Sequence, residues 1–326
     1  MLGAIIGDQV GSRFEWHPIK TKDFQFFHED CCWTDDTVLT IAVAEAIAAN
    51  IDMAKTLRRY TLEHVTSYGL HYWDWANGRL GDGPYGSYGN GASMRVSGAA
   101  HFAHDIHECL AFAKASASVT HNHPEGIRGA QAVATAIYAA LSGWKQPEIR
   151  ALVQRISGYD FIPSVREFRQ TAEFELKSWI SVPRAIVCAL EAENFEDAIR
   201  NAVSLGGDAD TEAAIAGSIA EALFPIPEAM AVPALSKLPI SLRSDYERLS
   251  TLSRAIERHP LSASQVDAIP VWDPSCLEKW VPPHAKPRPI IVYEPEPLPE
   301  SYSLFAKPTL FQKARNLIDK AVSIWR

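Results

Sequence analysis

The segment 38–49 is apolar on almost every side: Val38, Leu39, Ile41, Ala42, Val43, Ala46 and Ile47 leave no wide polar face at helical spacing. A helix of that kind is stable only when neighbours cover it all round, so it demands a core built of packed elements. Helix-period patterns recur over 108–118, 127–141, 196–204 and 212–223, with Ala130, Ala134, Ile137 and Leu141 marking one buried stripe. The alternation expected of half-buried strands is scarce. Small residues throughout these segments suit close helix packing. The expected fold is all-α, a compact many-helix domain over residues 1–224 followed by a helical and Pro-rich extension over 225–326.

The extension has its own character. Seven prolines fall between Pro282 and Pro299, which gives extended, semi-rigid chain. Residues 309–325 turn helical again, with Leu310, Ala314, Leu317, Ile318, Ala321 and Trp325 on one face. That amphipathic helix is expected to dock on its own domain, or else on a partner or an anionic surface.

Composition removes several function classes. The formal net charge is -8, which does not supply the basic field that nucleic-acid or membrane-surface binding needs. Five cysteines, at 31, 32, 109, 188 and 276, are an odd number without a framework spacing. Neighbouring Cys31 and Cys32 would close a disulfide only with strain. A reducing cytoplasm is the expected compartment. The N-terminal run lacks a signal peptide's basic region, and no uncharged apolar run approaches the roughly 20 residues of a membrane span.

Two acidic motifs carry the chemistry. The first is Trp33-Thr34-Asp35-Asp36-Thr37; the second is Gly206-Gly207-Asp208-Ala209-Asp210-Thr211-Glu212. Each precedes a small-residue, apolar helix, and each taken singly reads as an N-cap. Capping needs one side chain per helix, however, and each motif offers two carboxylates and a hydroxyl. Buried like charges raise one another's pKa, and a pair of divalent cations would relieve them. Hard oxygens without His or Cys favour Mg²⁺, Mn²⁺ or Ca²⁺ over Zn²⁺. A shared carboxylate would set two ions about 3.5–4 Å apart. Against this stands the positive end of each helix dipole, which the carboxylates must outweigh.

Other segments are less decisive. The opening run from Gly3 to Glu15 has no Lys-Ser/Thr pair and is not a P-loop; its glycines suit close helix contact, and Asp8 reads as a buried, hydrogen-bonded carboxylate. Residues 77–91 hold six glycines, a pattern of chain that takes positive φ or lets a ligand approach its backbone. Tyr88 within it can stack on a base or pack on a sugar. His121 and His123, before a helix start, can bind metal or phosphate, or simply cap and fill.

These motifs, taken in order, match a family. Gly7-Asp8 through Glu15, Thr34-Asp35-Asp36-Thr37, Gly89-Asn90-Gly91 with Met94-Arg95, Thr120-His121, and Gly207-Asp208-Ala209-Asp210-Thr211 together resemble the ADP-ribosylglycohydrolases, which include the dinitrogenase reductase-activating glycohydrolase. The likeness covers roughly residues 1–224, and the segments 116–132 and 201–222 look like the compact bacterial branch. It implies two Mg²⁺ or Mn²⁺ ions held by Thr34, Asp35, Asp36, Asp208, Asp210 and Thr211. It implies an ADP-ribose site lined by Glu15, Ser87, Tyr88, Gly89, Asn90, Gly91 and His121. Catalysis would fall to Glu15, Asp36 and Asp208, on an ADP-ribosylated protein or a small ADP-ribose conjugate. Rival readings are a non-catalytic ADP-ribose binder, a metal-dependent phosphohydrolase and a purely structural all-α protein; the lack of clustered His-Asp ligands counts against the second.

Overall fold

A computed structural model describes residues 1–283. Its helices are α1 (Leu2–Gly11), α2 (Asp35–Ala48), α3 (Met53–Glu63), α4 (Leu70–Ala76), α5 (Gly91–Met94), α6 (Ser97–Phe102), α7 (Ile106–Ser118), α8 (Pro124–Leu141) and α9 (Gln146–Ser157). They continue with α10 (Val165–Thr171), α11 (Ser178–Leu190), α12 (Phe195–Val203), α13 (Ala209–Leu223), α14 (Glu228–Ser236), α15 (Ile240–Arg254), α16 (Ala263–Ala268) and α17 (Ser275–Lys279). No strand occurs among the described residues; an isolated antiparallel bridge joins Gly89 and Lys177. The all-α expectation is met.

The expected helices form, and most begin earlier than their apolar period does. The pattern at 38–49 belongs to a helix that starts at Asp35, and the one at 212–223 to a helix that starts at Ala209. The reason is general: first turns are polar, because they carry the caps and the carboxylates that the helix dipole favours. At α8, His123 accepts a hydrogen bond from the Glu125 amide and Pro124 fills the first position, so the 127–141 pattern extends back to residue 124. Periodicity did not mark α1 as a helix, since its glycines dilute the apolar signal.

Those glycines position everything else. Gly3, Gly7 and Gly11 recur every fourth residue and form one stripe along α1. Facing them on α13 are Gly217, Ala213 and Ala209: a Cβ at Gly3 would overlap the Gly217 carbonyl, one at Gly7 the Ala213 carbonyl, and one at Gly11 the Ala209 carbonyl. The two helices therefore meet backbone to backbone. α12 and α11 also pack on α13, and α2 packs on α1. α14 and α15 join the same core: Gln9 Nε2 donates to the Ala234 carbonyl at 3.0 Å, and Leu242, Tyr246 and Leu249 are buried in it. The amphipathic pattern at 309–325, and all of the Pro-rich stretch beyond Pro283, lie outside the described residues.

Gly7→Ala should lower the unfolding free energy by about 3 kcal/mol or more, because a methyl placed against rigid backbone cannot be absorbed by a rotamer change. Urea denaturation checks this; an unchanged midpoint would show that α1 and α13 are not locked at that distance.

Candidate active site

α2 and α13 begin side by side against α1. Thr34 caps α2, its Oγ1 accepting from the Asp36 amide at 3.3 Å, which leaves Asp35 and Asp36 free of that duty. Asp208 occupies the cap position of α13 but makes no capping bond; it accepts instead from Asn90 Nδ2 at 2.6 Å. Capping therefore does not account for the paired carboxylates.

Asp8 on α1 is bonded to the first of these turns and lies close to Asp210 in the second. Thr34 donates to it through its amide at 2.9 Å and its hydroxyl at 2.7 Å, Thr37 through its amide at 3.1 Å, and the Thr37 hydroxyl adds a further bond. Carboxylate oxygens of Asp8, Asp36 and Asp210 lie within 4.8 Å of one another, and so do those of Glu15, Asp208 and Asp210. Asp210 belongs to both trios. Asp36 Oδ2 accepts from the Thr34 and Thr211 hydroxyls, each at 3.4 Å, but its buried Oδ1 has no hydrogen-bond partner. A buried carboxylate oxygen without a donor is costly, and a cation is the partner that would satisfy it. The donor set is all hard oxygen, so it fits a divalent cation of the Mg²⁺ or Mn²⁺ kind.

The electrostatics agree. Burial pushes Asp8 up to about 6 against the pull of its four donors, and burial together with Asp8 pushes Asp35 up to about 7. Burial and Glu15 raise Asp208 to about 7, despite the bond from Asn90. Asp36 and Asp210 stand well above the carboxylate range, first through burial, then through the charge of Asp210 for Asp36 and of Asp208 for Asp210. Glu15 reaches about 9 through burial and then the charges of Asp210, Asp35 and Asp8.

A polar loop closes the other side. Asn90 is held by its amide on the Leu176 carbonyl at 2.8 Å, while the Ser178 amide and hydroxyl reach Tyr88 and Gly89 carbonyls at 3.1 and 2.6 Å. Ser87 Oγ accepts from the Gly89 amide at 3.2 Å. His121 Nε2 lies 3.0 Å from where a Cβ on Gly91 would stand, so Gly91 is glycine for want of room. His121 Nδ1 pairs with Thr120 Oγ1 at 2.7 Å, and that hydroxyl also accepts from Arg95 Nη2 at 2.8 Å. Burial and the Arg95 charge hold this imidazole neutral. Tyr88 presents its ring to Trp179 and His123, with centroids 5.5 and 5.6 Å away.

The structure thus gathers Glu15, Asp36, Asp208 and Asp210, sets the Thr34 and Thr211 hydroxyls beside Asp36, and ties the Ser87–Gly91 loop to them through Asn90. Asp35 is half-buried and lies outside both trios. Two residues of the site escaped the sequence reading. Asp8 was read as structural, yet the four-residue glycine stripe around it would have placed it opposite α13. Glu212 is fully buried beneath Gly207, its two oxygens without hydrogen bonds and Arg184 4.0 Å away. Burial lifts it to about 8 against the charges of Arg184 and Lys20. Nothing in the sequence separated it from an ordinary first-turn glutamate.

The family model described as ADP-ribosylglycohydrolase matches residues 1–259. The chain belongs to the ADP-ribosylglycohydrolase family. It is an enzyme of the glycohydrolase class, as its motifs led one to expect. Among its relatives, ADP-ribosylhydrolase ARH3 of Xenopus tropicalis is 26% identical over 301 residues, 68% of this chain and 85% of that protein. ADP-ribosylarginine hydrolase Tri1 of Pseudomonas putida is 28% identical over 258 residues, 69% of each. A solved structure described as an ADP-ribosylglycohydrolase-related protein complex superposes with a TM-score of 0.60 at 23% identity, covering 78% of this chain and 97% of that one; it supports the fold. No helix among the described residues is long and apolar enough to cross a membrane.

These ADP-ribosylglycohydrolase carboxylates give a signed pH dependence. Asp8, Asp35, Asp208 and Glu15 are raised to about 6, 7, 7 and 9, above the roughly 4 of an unfolded carboxylate. Raised groups favour the folded state at low pH, and that contribution is lost as pH climbs through about 6 to 9. In chelator the melting temperature should therefore fall from pH 5 to pH 9. Added Mn²⁺ or Mg²⁺ should restore it, more so at higher pH. A melting temperature that is flat in chelator and indifferent to metal would contradict this reading.

Proposed function

We propose that this chain hydrolyses the glycosidic bond between the anomeric carbon of ADP-ribose and an acceptor atom, reversing ADP-ribosylation. The observation that carries the reading is the pair of buried carboxylate trios joined at Asp210, with the glycine loop bonded to one of them through Asn90 and Asp208. A phosphate-rich ligand needs such a loop, and an oxocarbenium-like transition state needs anionic groups beside it. The activities named for the relatives point the same way.

Asp36, Asp208 and Asp210, with Asp35 and the hydroxyls of Thr34 and Thr211, would hold two divalent cations, Mg²⁺ or Mn²⁺. Bound there, the cations would supply positive charge that orients ribose hydroxyls and acidifies a water. The protein does the rest. Asp8 fixes α1 to the start of α2 and so sets the spacing of the cluster. Asp36 and Asp208 stabilise positive charge developing at the anomeric carbon. Glu15, beside Asp208 and Asp210 and easily protonated there, passes its proton to the acceptor atom as that bond breaks. Water forms the new bond to carbon and returns its proton to Glu15, which balances the cycle. The glycine loop and neutral His121 face the diphosphate and ribose. The substrate is an ADP-ribosylated protein or a small ADP-ribose conjugate. All five cysteines are free, which supports a reducing cytoplasmic setting.

Asp208→Ala or Asp210→Ala should cut metal-dependent release of ADP-ribose on the order of a thousandfold or more. Glu15→Gln should cut it on the order of a hundredfold or more while metal binding persists. The assay is a panel of defined ADP-ribosylated arginine and serine peptides and small esters, each with Mg²⁺, Mn²⁺ and chelator. Tight ADP-ribose binding without turnover on any substrate would overturn the hydrolase reading in favour of a binder, and release of free phosphate would favour a phosphohydrolase.

A further inference from the structure

The family match ends at residue 259, yet the chain from 260 to 283 is bound to the same body at several points. Arg155 Nη1 donates to the Val266 carbonyl at 2.6 Å, and the Trp272 amide donates to the Ile156 carbonyl at 3.0 Å. The Arg128 guanidinium stands over the Trp272 ring at 4.7 Å and over Tyr159 at 4.1 Å, a cation held between two aromatic faces. From there α17 carries Trp280 to the glycine loop. Its ring edge lies 3.2 Å from where a Cβ on Gly86 would stand, with Pro283 at the same distance, and its centroid is 4.4 Å from that of His123. Gly86 has φ +77, so it is glycine on two grounds, conformation and the indole seated on it.

We propose that residues 260–283 are a strap that belongs to the ligand site, and that Trp280 is a positioning residue for ADP-ribose. The inference rests on the hydrolase reading above. The loop Ser87–Gly91 is held at one end by Asn90 on Asp208 and on the Leu176 carbonyl. At the other end the Ser87 amide meets the Thr120 carbonyl at 3.3 Å, a long bond, and the indole of Trp280 covers the preceding Gly86. Three glycines ahead of the loop, Gly78, Gly81 and Gly83, would meet nothing within 4 Å of an added Cβ, so the chain leading into it has little packing to fix it, and a loop binds a ligand tightly only when its shape is set in advance. A rigid indole pressed on Gly86 supplies that restraint. It acts on ligand affinity, because it touches the loop and not the carboxylate trios.

The test uses the full-length chain with Trp280→Ala, Trp280→Phe and the anchor variant Trp272→Ala. Titration calorimetry with free ADP-ribose and Mg²⁺ gives Kd, and steady-state turnover of an ADP-ribosylated peptide gives kcat and KM. Trp280→Ala should raise Kd and KM about tenfold with kcat and the metal-induced thermal shift unchanged, Trp280→Phe should restore most of the affinity, and Trp272→Ala should move Kd the same way. An active wild type beside a Trp280→Ala variant with unchanged Kd and KM overturns the strap alone, as does a fall in kcat with KM unmoved. A wild type that neither binds nor cleaves overturns the hydrolase reading and the strap with it.

Discussion

Three glycines on one face of α1 let it approach α13 to backbone contact, and the acidic site exists because of that approach. At an ordinary helix separation of 8–10 Å, Asp8 on α1 and Asp210 on α13 would be apart. With the Cβ atoms removed, their carboxylates share one small volume with Asp36. Asp8 then uses its four hydrogen bonds to draw in the first turn of α2. A packing rule and a polar staple thus place three helices around one point.

That point is under electrostatic tension. Asp8, Glu15, Asp35, Asp36, Asp208 and Asp210 are all shifted towards the protonated form, with burial as the first cause of each. The N-termini of α2 and α13 ease the anions, since their dipoles favour negative charge, and by the same sign they oppose a cation. Six carboxylates, once a bound cation has displaced their protons, would outweigh two half-charges. The surrounding apolar core carries the stability that the cluster forgoes. Glu212, buried next to Thr211 and facing Arg184, extends the same tension into the floor of the Gly206–Asp208 turn.

Much of this was legible in the residues. The all-round apolar run at 38–49 required a buried helix and hence an all-α core. Two acidic motifs ahead of two helices were hard to dismiss as caps once both were seen; Thr34 does cap α2, while Asp208 makes no capping bond. What escaped was long-range. A glycine stripe hides a helix from hydrophobic periodicity, so α1 and the role of Asp8 emerged only with its partner α13 in view. First turns were trimmed because their polar residues break the apolar period. Trp280 lies nearly 200 residues from Gly86, and no local pattern links them.

The site is therefore a consequence of helix packing, a loop tied to it by Asn90, and a strap laid over that loop. The two proposed cations would share Asp210, the residue common to both carboxylate trios. Crystals grown with Mn²⁺ and measured for anomalous scattering test this directly. Two peaks roughly 3.5–4 Å apart, one on the Asp8–Asp36 side of Asp210 and one on the Glu15–Asp208 side, are the expected result. No peak in the cluster, or a single peak away from Asp210, would contradict it.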